Sequence, residues 1–127
     1  LVVYSPSNAG GGFDGCKQLM QLPVPPTALF CFNDRAAMGA YDALRELGRC
    51  VPRDVAVVSF DNQEVIAAYL RPALTTMQLP HHAMGEWAVN YLLNRPAETA
   101  NGAAPQIQLA CPPVLRESHY RRLYAVL

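Results

Sequence analysis

Three strand-length apolar runs stand out along the first half of the chain: residues 1–4 (LVVY), 27–32 (TALFCF) and 55–60 (VAVVSF). The second and third do not alternate with polar positions, so each reads as a strand buried on both faces, as in parallel sheets. Between them, Ala37, Ala40, Tyr41, Leu44 and Leu47 recur at helical spacing. Asn33 stands before them as an N-cap, and Gly48 after them as a left-handed stop. The pattern over residues 26–62 is therefore strand, helix, strand, with residues 51–54 as a turn. A parallel strand pair needs such a crossover, which is almost always right-handed.

The flanking patterns extend this unit. Residues 5–11 read as a loop, a flexible glycine-rich entry to a helix over 13–22 that carries Phe13, Cys16, Leu19 and Met20 on one face. Pro23, Pro25 and Pro26 end it. Beyond Asn62 come a short helix over 64–70, stopped at Arg71-Pro72, and an extended segment over 74–77. Pro80 opens a helix running to Arg95, which Pro96 stops. Its stripe is Met84, Trp87, Ala88, Tyr91 and Leu92, with Val89 and Leu93 on other faces, so cover is expected on more than one side. Residues 99–105 read as a loop and 107–109 and 114–115 as short strands, while the tail from His119 has no clear pattern. The predicted class is α/β: a parallel sheet with helices on both faces, Rossmann-like and three-layered.

Length and composition narrow the function. The 127 residues make one domain. Lys+Arg 10 against Asp+Glu 10 leaves no basic surface for nucleic acid. Apolar runs of strand length predict no membrane partner. The first residues carry no charged leader, which predicts no signal peptide. They begin inside a strand pattern and without methionine, which predicts a fragment. Cys16, Cys31, Cys50 and Cys111 lack metal-ligand spacing and read as reduced, structural thiols of a cytoplasmic protein. His81 and His82 point roughly 100° apart on a helix and cannot share a metal. No metal and no cofactor are predicted.

The candidate chemistry follows from topology. Ligands of open α/β sheets bind beyond the carboxyl ends of the strands, and Asn33, Asp34, Asp61 and Asn62 arrive there together. Carboxylates and amides in one crevice suit a ligand with several hydroxyl or N–H groups, such as a sugar or a nucleoside. Helix capping is the competing role for Asn33 and Asp61. Gly10, Gly12 and Gly15 spell G-x-G-x-x-G, with Asp34 about 20 residues on, as in a dinucleotide site. The five residues SPSNA separate that motif from the strand, whereas the fingerprint needs its first glycine at the strand end. A dinucleotide-binding enzyme domain on Gly10, Gly12, Gly15 and Asp34 is the alternative reading. No nucleophile elbow, P-loop or H-E-x-x-H supports an enzyme.

PTALFCFNDRAAMGAYDALRELG, VPRDVAVVSFDN, RPALTTMQLPHHAMGEWAV and VLRES, in this order and spacing, resemble the lactose-repressor (LacI/GalR) family of transcription regulators. That family carries a helix-turn-helix headpiece for operator DNA and a two-lobed, periplasmic-binding-protein-like domain for a small effector, commonly a sugar or nucleobase. The resemblance covers the later part of that domain. It implies that residues 1–75 and 106–120 belong to the second lobe. It further implies that 77–95 returns to a first lobe and that the headpiece has no counterpart here. Effector contacts carry over to Asn33 of FND and Asp61 of SFD. Ser7 stands where the family often places an aromatic side chain, with Tyr4 as the substitute platform. Dimer contacts carry over to Met38 and Tyr69. The implied whole is a non-enzymatic homodimeric repressor sensing a sugar-like effector.

Overall fold

The computed structural model describes residues 1–94 and 105–119. Pro96, residues 99–104 of the expected loop and the tail beyond His119 lie outside them. Four strands form one sheet in the order β1-β2-β3-β4. β1 (Ala28–Phe30) pairs in parallel with β2 (Ala56–Asp61), Leu29 beside Val57. β2 pairs in parallel with β3 (Thr75–Gln78), Ser59 beside Thr76. β4 (Pro113–Val114) lies antiparallel to β3. The α/β class with a mainly parallel sheet is as the sequence predicts.

The helices are α1 (Ala9–Met20), α2 (Asp34–Glu46), α3 (Glu64–Ala67) and α4 (His81–Asn94). α2 begins as expected: the Asn33 side-chain oxygen accepts from the Ala36 N–H at 2.8 Å, satisfying one orphan donor of the first turn. It ends before Gly48, whose φ of +66° is free of penalty only for glycine. Ala37, Ala40, Tyr41 and Leu44 bury its stripe against Leu29, Val57 and Leu74.

Six details differ from the sequence reading. Residues 1–4 form no strand, and Leu1, Val2 and Tyr4 are exposed. β1 is shorter than 27–32 and buried on one side only, Phe30 and Phe32 being exposed. Apolar runs signal burial, but which faces are covered depends on neighbours distant in sequence. α1 starts at Ala9, so its glycines are inside the helix, not a flexible entry to it. α3 stops at Ala67 instead of 70. Residues 107–109 form no strand, and β4 starts one residue early, at Pro113. Cys50 is exposed and accepts from Arg53 Nη2 at 3.0 Å, so it is no core thiol. Cys16 and Cys31 fit the packed role: burial pushes the first up to about 11 and the second to about 12, keeping both as neutral thiols.

The segment after β4 closes the far end of the sheet. Val57 N–H donates to the Ser118 carbonyl at 2.9 Å, and Ser118 Oγ donates to the Val57 carbonyl at 2.5 Å. Thr75 N–H donates to the same hydroxyl at 2.8 Å. Buried Ser118 thereby bridges β2 and β3, leaving the opposite, carboxyl edge for the site.

Candidate functional site

Asn33 and Asp34 follow β1, Asp61 and Asn62 close β2, and Gln78 ends β3. Parallel pairing delivers all of them to one edge, because the strands run the same way.

Their roles divide sharply. Asp34 is fully buried. Its carboxylate accepts from the hydroxyls of Ser59 and Thr76 (2.7 Å for Thr76) and from the Gln63 N–H at 2.6 Å. A carboxylate with three donors is a satisfied core group that ties β2, β3 and the entry of α3 to α2. Asn33 is half-buried and engaged at both ends. Besides its cap, its Nδ2 donates to the Ser7 carbonyl at 3.2 Å, fixing the loop before α1.

Asp61 is different. Its backbone lies at φ +112° and that of Asn62 at +54°, a region that side chains other than glycine rarely adopt and that clusters at functional sites. Its Oδ2 accepts from Gln63 Nε2 at 3.0 Å. Its Oδ1 takes no hydrogen bond among the described residues, so this half-buried carboxylate has capacity left for a ligand. Asp61 does not cap α3; Gln63 holds the cap position, without a side-chain bond. Asn62 Nδ2 donates to Gln78 Oε1 at 2.5 Å, and its Oδ1 accepts from Arg116 Nη2 at 2.8 Å.

Ser7 and Tyr4 line a separate apolar cavity of about 380 Å³ with Val2, Cys16, Leu19 and Leu29. Met38 is half-buried on α2, and Tyr69 is exposed after α3. The sequence reading missed Gln63, Gln78 and Arg116. Gln63 and Gln78 were legible as polar residues at strand ends, but nothing local marks Arg116.

Of the glycine motif, Gly12 serves packing. A Cβ on Gly12 would stand 2.0 Å from the Ala36 carbonyl oxygen, and one on Gly39 of α2 1.8 Å from that of Ala9. The backbone faced by Gly12 is therefore helix α2. With Asp34 buried as well, the dinucleotide alternative is set aside.

An α/β domain with its polar groups at the carboxyl edge of parallel strands is a ligand-binding architecture. The chain belongs to the periplasmic binding protein-like domain family, which matches residues 5–119, in the form carried by LacI-family regulators. The ribose operon repressor of Escherichia coli K12 is 37% identical over 107 residues, covering 84% of this chain and 31% of the repressor. The transcriptional repressor PurR of E. coli O139:H28 is 44% identical over 84 residues, covering 66% of this chain and 24% of that protein. A LacI-family regulator from Enterococcus faecalis, solved with bound ribose, superimposes with a TM-score of 0.78 at 26% identity, over 92% of this chain and 42% of that one. The chain thus spans less than a third of the length of these curated relatives.

Proposed function

We propose that the chain is the effector-sensing and dimerising part of a LacI/GalR-type transcription repressor, a cytoplasmic non-enzyme. It takes a small polyhydroxylated ligand in the crevice at Asp61, with D-ribose the first candidate. Operator DNA is bound through a headpiece elsewhere in the full-length protein, and a first lobe completes the crevice and covers α4. Among the described residues no helix is long and apolar enough to cross a membrane. Met38 and Tyr69 contribute to a homodimer contact.

The observation that carries this reading is the open carboxylate oxygen of Asp61, presented from a left-handed backbone at the carboxyl edge. A carboxylate there accepts from sugar hydroxyls, and the relatives support the ligand class: one is a ribose operon repressor and a structural neighbour holds ribose. Asn33 shapes the rim by fixing the Ser7 loop, and Asp34 supports the crevice from beneath. Losing a hydrogen bond to a charged acceptor costs roughly 1.5–3 kcal/mol, so Asp61→Ala in the full-length protein is expected to weaken D-ribose at least tenfold by calorimetry. An affinity unchanged by Asp61→Ala overturns the assignment of Asp61. Absence of ribose binding by the unaltered protein overturns ribose.

A further inference from the structure

We infer that Arg116, which lies 54 residues beyond Asn62 in the chain, is a positioning residue of the crevice: it orients Asn62 and thereby sets the direction in which Asp61 presents its carboxylate. The inference rests on the effector reading and adds a residue to it. Arg116 is itself anchored at three points. Its backbone N–H donates to Thr75 Oγ1 at 2.8 Å, its Nη1 to the Leu74 carbonyl at 2.9 Å, and its Nη2 to Asn62 Oδ1 at 2.8 Å.

A guanidinium only donates. Asn62 must therefore turn its oxygen to Arg116 and its Nδ2 toward Gln78, whose Oε1 accepts at 2.5 Å. Gln78 is left with its Nε2 to donate, and this reaches the Leu79 carbonyl, which only accepts, at 3.1 Å. The chain of bonds has one direction, from Arg116 through Asn62 and Gln78 to Leu79, and neither amide can flip without opposing two like groups. The Asn62 N–H also donates to Thr76 Oγ1 at 3.2 Å. With its side chain and its N–H both fastened, Asn62 is held at φ +54°, a conformation asparagine tolerates but does not require. Among the described residues, Asp61, one peptide away at φ +112°, has only the Gln63 amide on its carboxylate. Its backbone pairs with Gln78 of β3 and its carbonyl accepts from the Leu79 N–H at 3.4 Å, so the fastened Asn62 and Gln78 are the neighbours through which Arg116 acts on it.

The test compares Arg116→Ala, Arg116→Lys and Asn62→Gly with the unaltered full-length protein, reading D-ribose affinity by calorimetry and amide hydrogen exchange by mass spectrometry. Arg116→Ala is expected to speed exchange at least fivefold in peptides covering residues 59–64 and 76–80, leave those of α1 and α2 unchanged, and weaken ribose at least tenfold. Arg116→Lys keeps the charge without the two-armed fork, so it recovers less than half of the lost exchange protection. Asn62→Gly accepts the left-handed backbone by itself, so adding Arg116→Ala to it must cost clearly less than in the natural background.

Faster exchange throughout the chain, or full recovery by Arg116→Lys, overturns the inference, the first indicating a general structural role and the second a simple charge. Unchanged exchange in 59–64 overturns it as well. Unchanged ribose affinity in Arg116→Ala, alongside lost affinity in Asp61→Ala, overturns the positioning role and leaves the effector site standing. If the unaltered protein binds no ribose, the ligand assignment fails and the exchange pattern alone decides for or against Arg116.

Discussion

Asp34 and Asp61 are the same residue type at successive strand ends, and their surroundings give them opposite work. Asp34 gathers two hydroxyls and one N–H in the core, so no oxygen of it faces a ligand. Removing it leaves those buried donors without an acceptor, each unsatisfied group costing about 1–3 kcal/mol. Asp34→Ala is expected to lower unfolding stability by at least about 2 kcal/mol in a urea titration, far more than Asp61→Ala. Equal losses would put Asp61 in the core network too. Asn33 has two structural tasks, since one end of its amide starts α2 and the other holds the Ser7 loop.

At the level of elements, the crossing of α1 over α2 decides what the glycines mean. Glycine in a helix interior usually costs up to about 1 kcal/mol relative to alanine. It persists at Gly12 and Gly39 because the helix backbones meet there with no space for a Cβ. Gly10, in the same helix, has nothing nearer than 3.5 Å to a built Cβ. Gly10→Ala should therefore stabilise by about 0.5–1 kcal/mol, whereas Gly12→Ala should destabilise by at least about 1–3 kcal/mol, the cost of overpacking. Thermal unfolding of the two variants reads the opposite signs directly. A Gly12→Ala variant as stable as the unaltered protein, or more so, would mean that the crossing adjusts without cost.

For the whole molecule, the question is what covers the remaining apolar surface. No residue of α4 is buried; Leu92 and Leu93 are 70% and 78% exposed, and Trp87 stacks on Tyr91 with centroids 5.5 Å apart. Burying one large apolar side chain is worth roughly 1.5–3 kcal/mol, so several left in water are a substantial cost against a domain stability of about 5–15 kcal/mol. The proposed first lobe removes that cost. The proposed dimer contact is separate, on α2 and after α3, where Tyr69 is 72% exposed. Met38→Glu together with Tyr69→Glu in the full-length protein is expected to yield monomers in sedimentation velocity. Dimers that survive both changes would place the contact elsewhere.

The sequence by itself determined the parallel strand–helix–strand unit, because buried apolar runs, the Asn33 cap and the Gly48 stop are local signals. Topology then brought Asn33, Asp34, Asp61 and Asn62 to one edge without any coordinates. The division of labour among them was decided by tertiary structure, since it depends on partners from other elements: Ser59 and Thr76 turn inward to Asp34, and Arg116 returns to Asn62. The glycine motif was legible as a pattern, but its purpose was not. A close helix crossing and a phosphate cradle both call for a missing Cβ, and only the position of Ala36 against Gly12 tells them apart. The same holds for β1, whose apolar run announces burial while the packing of the other elements leaves Phe30 and Phe32 exposed.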